Sequence, residues 1–150
     1  MKTVFDENVR MELINRIHSV NEDSSAQWGK MTAYQMVKHC TLWDTWILGK
    51  NKPEYRQSIL GLFFGKIALS GSVRDDSPMK RNMPAGRDFV VKEKVGDVEL
   101  QKKEWIALLS EYEHFSNPAF IHDFFGRMKK EEIGIFAYKH SDHHLRQFNS

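Results

Sequence analysis

The stretch Ile133-Gly134-Ile135-Phe136-Ala137-Tyr138-Lys139-His140-Ser141-Asp142-His143-His144-Leu145-Arg146-Gln147-Phe148 governs how the whole chain is read. An α-helix turns about 100° per residue, so His140 and His144 lie about 40° apart on one face. They share that face with Ile133, Phe136, Ala137 and Phe148. Two polar rings on a stripe patterned for burial need hydrogen-bond partners or a metal ion. A divalent cation gripped by both meets that need.

The same periodicity organises the rest of the chain. Val9, Leu13, Ile14, Ile17 and Val20 recur at three- and four-residue intervals, predicting a first helix from about Asp6 to Val20 that ends in the polar run Asn21 to Ser25. Thr32 and Gln35 have the spacing of a capping box, with Met31 and Met36 placed as a hydrophobic staple. They predict a second helix from Ala33 to about Leu48, stopped by Gly49 and Pro53. A shorter helix is expected over Ile59 to Leu69, where Gly61 and Gly65 imply close packing or a distorted segment. From Ser70 to Asp97 glycine, serine, proline, aspartate and lysine dominate, and only Phe89, Val90 and Val91 offer an anchor. A connection this long is either the cover of a site or a poorly ordered segment. Trp105, Ile106, Leu108, Leu109 and Tyr112 carry a further helix from Glu99 to about Phe115, closed by Asn117 and Pro118, and the last helix runs from about Lys130 to Gln147.

Four long helices, one short one, no strand alternation and no internal repeat predict an all-α chain, a four-helix bundle of one domain over residues 1–150. Composition bounds the function. The 22 basic residues nearly balance the 20 acidic ones and form no basic stripe interleaved with aromatics, so a nucleic-acid partner is not expected. One cysteine, Cys40, excludes a disulfide framework within a monomer and fits a reducing compartment. Without an apolar stretch at the N-terminus or a run of eighteen apolar residues elsewhere, the expectation is a cytoplasmic protein with no membrane partner.

On the second helix His39 falls about 40° from Trp43, 60° from Met36 and 80° from Ile47, at the margin of the apolar face. If the second and last helices are neighbours, His39 can complete a three-nitrogen set with His140 and His144, leaving a position open for water and substrate. The plainer alternative is a core histidine bonded to a backbone carbonyl. His143 reads as a helix-edge residue meeting solvent or an acid, and His18 and His114 as helix-end residues; His122 and Asp123, in the linker before the last helix, read as a solvated turn or, beside a metal, as a substrate contact. Cys40, about 100° from His39, reads as a small buried hydrophobe. Tyr34 and Asp44 are available to orient groups at a metal, but their spacing does not require it. No general acid or base is forced into position, so none is assigned.

The segments Trp28-Gly29-Lys30-Met31-Thr32-Ala33-Tyr34-Gln35-Met36-Val37-Lys38-His39-Cys40 and Tyr138-Lys139-His140-Ser141-Asp142-His143-His144-Leu145-Arg146-Gln147-Phe148 closely resemble the DinB/YfiT-like superfamily. Within it they are most similar to a branch of short, functionally uncharacterised members with a WGKMT-type helix start and a terminal KHxxHHLRQF. The resemblance covers essentially the whole chain. It implies a DinB/YfiT-like four-helix bundle, with an added short helix and a long loop, and a metal site formed by His39, His140 and His144. Superfamily members include metal-dependent thiol transferases and isomerases that use low-molecular-weight thiols, and proteins described as hydrolases; homodimers are common. The expectation is therefore a divalent ion (zinc, nickel, iron or manganese), a small-molecule substrate with or without a low-molecular-weight thiol, and a homodimer. The contrasting expectation is a non-catalytic helical binding module with metal-free core histidines.

Overall fold

Four of the five helices begin at a residue whose side chain caps them. The computed structural model describes residues 1–83 and 86–150, with five α-helices: α1 (Glu7–Ser19), α2 (Ala33–Ile47), α3 (Ile59–Ser72), α4 (Val98–Glu111) and α5 (Lys130–Gln147). Asp6 caps α1 by accepting from the Asn8 amide at 2.8 Å, and Asp97 caps α4 by accepting from Leu100 at 2.8 Å. At α2 the capping box is complete: Thr32 Oγ1 accepts from Gln35 N at 3.2 Å, and Gln35 Oε1 accepts from Thr32 N at 3.0 Å. Such reciprocal bonds satisfy amide donors that a helix start otherwise leaves orphaned. No strand occurs among the described residues; an isolated antiparallel bridge joins His122 and Gly126.

Helix α4 packs on α1 and α2, and α5 packs on the same two, so the four close as a ring in the order α1, α4, α2, α5. The interior of the ring holds Leu13, Ile17, Met36, Val37, Trp105, Leu109, Tyr112 and Leu145, all fully or almost fully buried. Two polar devices hold it at depth. The Asp44 carboxylate accepts from Trp105 Nε1 at 2.8 Å and from Tyr112 Oη at 2.6 Å, joining α2 to α4. The buried Lys102 ammonium donates to the carbonyls of His18 at 3.1 Å and Val20 at 2.6 Å, satisfying the open end of α1.

Helix α3 differs from expectation in length: it is 14 residues, as long as α4, and continues past Leu69 through Gly71 to Ser72. Its glycines are explained by close packing. A Cβ at Gly61 or Gly65 would collide with the backbone carbonyl of Phe124, so their bare faces let α3 lie directly on the turn at residues 122–126. Ser58 N donates to Asp123 O at 2.7 Å and Gln57 Nε2 to Phe124 O at 3.1 Å, fixing the start of the helix on the same turn.

The connection after α3 therefore begins at Val73 rather than Ser70, and it contains a 3-10 turn at Arg87–Phe89. Of its expected anchors only Phe89 is buried; Val90 is exposed and Val91 half-buried.

Candidate metal centre

Two turns beyond the capping box, α2 presents His39 to the interior, and α5 presents His140 and His144 one turn apart against it. All three are buried, at 3%, 8% and 7% exposure. Nitrogen atoms from the three rings lie within 4.8 Å of one another, and His39 Nε2 stands 3.1 Å from His140 Nε2. Three nitrogens bound tetrahedrally to one zinc ion at about 2.0–2.1 Å would lie about 3.3 Å apart. The donor set therefore fits a divalent ion in chemistry, and the His39–His140 separation fits it in spacing.

The surrounding hydrogen bonds point the lone pairs. His39 Nδ1 is 2.8 Å from the Phe89 carbonyl, which can only accept, so Nδ1 carries the proton and Nε2 the lone pair. His144 Nδ1 lies 3.0 Å from Gln147 Oε1, and the Gln147 amide is oriented by donating Nε2 to the Trp28 carbonyl at 2.8 Å. That amide orientation makes Oε1 an acceptor and assigns the proton of His144 to Nδ1. Orientation of ring ligands by such outer hydrogen bonds is a recurrent feature of metal sites. His140 is held differently, stacked on Trp43 with ring centroids 4.1 Å apart and planes at 18°.

Electrostatics keep the trio neutral. Burial lowers the pKa of His39, opposed by the Phe89 carbonyl. Burial, reinforced by the neighbouring imidazoles, holds His140 well below the ordinary range and pushes His144 down to about 3. Neutral imidazoles bind a cation without first losing a proton.

The connection between α3 and α4 covers this centre. It is tied to the start of α2 by Gln35 Nε2 donating to Val91 O at 2.9 Å and Thr32 Oγ1 donating to Lys94 O at 2.6 Å. The carbonyl of Phe89 thus reaches His39 just ahead of two ties that pin the segment to the start of α2. Beneath this cover is a cavity of about 500 Å³, with the three histidines in its wall and a largely apolar lining that includes Trp43, Phe124, Phe125, Phe136, Met31 and Met79.

Other sequence readings need correction. His122 is not in a solvated turn: it is buried, stacks on Phe125 with centroids 4.4 Å apart, and lines the cavity. Its Nδ1 stands 2.9 Å from Asp123 Oδ1 and 3.1 and 3.3 Å from the amides of Phe124 and Phe125. His143 stands at the helix edge as expected, half-buried with Trp28 edge-on at 5.6 Å between centroids, and it also lines the cavity. Asp44 serves the α2–α4 contact instead of the metal centre, whereas Cys40 is the buried hydrophobe expected, its thiol pKa raised by burial. His18 and His114 are exposed. Sequence reasoning missed Gln147 and the Phe89 carbonyl. Gln147 was accessible in principle, three residues after His144 on the same face; the carbonyl contact, fifty residues from His39, left no pattern.

No described helix is long and apolar enough to cross a membrane. A family model described as "Protein of unknown function (DUF1569)" matches residues 7–150, and the chain belongs to that family. Comparisons with curated proteins and with solved structures gave no match.

Proposed function

We propose that this DUF1569 member is a divalent-metal-dependent enzyme acting on a small molecule, with His39, His140 and His144 as the ligands. The observation that carries this reading is the convergence of three buried neutral imidazoles, two of which have Nδ1 committed to other partners, on the wall of a cavity. Three protein ligands leave coordination positions for solvent and substrate, unlike a closed structural site. The ion, zinc, nickel, iron or manganese, supplies Lewis acidity toward water, a thiol or a substrate oxygen.

The chain's own residues do the rest. Gln147 and the Phe89 carbonyl hold two ligand rings in orientation, and Trp43 holds the third by stacking. The covering segment and the Met- and Phe-rich wall exclude water and select a substrate with an apolar body, whose size suits the cavity of about 500 Å³. Among the described residues, Ser72, His122, His143 and Asp123 are the polar groups of that wall outside the ligand set; the Ser72 hydroxyl is bonded to the Ala68 carbonyl, which leaves His122, His143 and Asp123 to contact the substrate. We assign the fold to the DinB/YfiT-like type, a single domain with α3 as the additional helix. The ring of α1, α4, α2 and α5 supports this, with one ligand from α2 and two from α5. The reaction is hydrolysis or transfer to a low-molecular-weight thiol; thiol consumption during turnover separates the two.

The test is metal analysis of protein purified without a histidine tag, beside a His140→Ala, His144→Ala double variant. The expected result is close to one equivalent of a divalent metal in the native chain and almost none in the variant. Equal metal content in both would overturn the proposal.

A further inference from the structure

Helix α3 is turned inside out relative to an ordinary amphipathic helix. Its small residues Gly61, Gly65, Ala68 and Ser72 face the protein, while Ile59, Leu60, Leu62, Phe63, Phe64 and Ile67 are 57–76% exposed. At those exposures the six side chains present roughly 800 Å² of apolar surface on one helix. Contiguous apolar patches on a monomer are ordinarily about 300–600 Å², and larger ones mark interaction sites.

We infer that this face is the contact between two copies of the chain, paired about a two-fold axis through α3. A standard stable interface removes about 800 Å² from each partner, and the apolar surface exposed on this helix is of that order. A two-fold contact needs a self-complementary surface, and an apolar ridge along one helix meets that requirement when the helices run antiparallel. The flanking charges agree. An exposed acid–base pair stands at each end of α3, Arg56 with Glu54 at 3.0 Å and Arg74 with Asp75 at 3.5 Å. Each end is therefore locally charge-balanced, and antiparallel pairing sets no unpaired like charges against each other.

A lipid surface is the less suitable occupant. Helices that lie in a bilayer interface carry a cationic polar face. The one charge within α3 is Lys66, whose ammonium is bonded to the Arg127 carbonyl, and the face opposite the apolar ridge is packed on the chain itself. Pairing also bears on the cavity, because Ala68 and Ser72 on the inner side of α3 form part of its wall. Fixing the outer side of α3 fixes that wall.

Sedimentation equilibrium of the full chain at micromolar concentration is expected to give twice the monomer mass of 17.6 kDa. Phe63→Glu with Ile67→Glu should weaken the association at least about 100-fold and give the monomer mass, with unchanged helical circular dichroism and metal content. Because Cys40 is the chain's one cysteine and is buried, Phe63→Cys, near the centre of the ridge, should form a disulfide-linked dimer on mild oxidation, whereas Met11→Cys on α1 should not. The inference is overturned by a monomeric native chain, a dimer indifferent to the paired glutamates, or equal cross-linking at both cysteines. A monomer that co-sediments with phosphatidylcholine–phosphatidylglycerol vesicles would assign the face to lipid instead. None of these outcomes depends on the metal.

Discussion

Gln147 shows how much one side chain outside the ligand set can decide. Its amide, oriented by the Trp28 carbonyl, specifies which nitrogen of His144 carries the proton. Gln147→Leu removes both hydrogen bonds at similar volume, and metal affinity by calorimetric titration should fall 10- to 100-fold with the fold retained; unchanged affinity would show that His144 is oriented by packing alone. Asp44 makes a second prediction, with the opposite electrostatic logic to the histidines. Burial raises its pKa from 3.8 to about 7 against the lowering effect of the Tyr112 and Trp105 hydrogen bonds. A carboxyl with a raised folded pKa contributes its stability below about pH 4 and loses it as pH rises toward 7. Relative to Asp44→Asn, the native chain should therefore lose on the order of 4 kcal/mol between pH 4 and pH 8. Urea unfolding of both proteins across that range measures it, and parallel curves would contradict it. The histidines act in the other direction, since their lowered pKa values cost stability as pH falls below 6.5, but they are common to both proteins and cancel in the difference.

Helix α3 shows what a sequence pattern conveys about an element and what it hides. The starts of α2 and α5 agree with expectation, and α2 was legible because its capping box is a local reciprocal bond written into two residues. The end of α3 was not, because Gly71 and Ser72 look like loop residues while Ser72 Oγ bonds back to the Ala68 carbonyl inside the helix. Gly61 and Gly65 had two readings, and only contact with a turn sixty residues away decides between them. Gly65→Ala gains roughly 1 kcal/mol of helix propensity, yet it forces a collision with the Phe124 carbonyl, whose backbone cannot move away cheaply. The collision should prevail: a net destabilisation of about 1–3 kcal/mol, read as a lower urea midpoint. A raised midpoint would mean that α3 does not rest on the 122–126 turn.

The assembly of the whole chain brings His39 to His140 across a hundred residues; periodicity placed His39 only at the margin of its apolar face and allowed that meeting, while the resemblance supplied the three-histidine set. What periodicity could not supply was the covering segment. Met79 and Phe89 of that segment complete the cavity wall beside His122 and His143, and Phe89 becomes a partner of His39. The central claim is that His39, His140 and His144 together hold one divalent ion. Crystals of the native chain grown with zinc and measured at the zinc absorption edge test it most directly. One strong anomalous peak is expected about 2.0–2.1 Å from a nitrogen of each of the three rings. Zinc found only on exposed histidines, with His39 and His140 still facing each other at 3.1 Å and no peak between them, would contradict it.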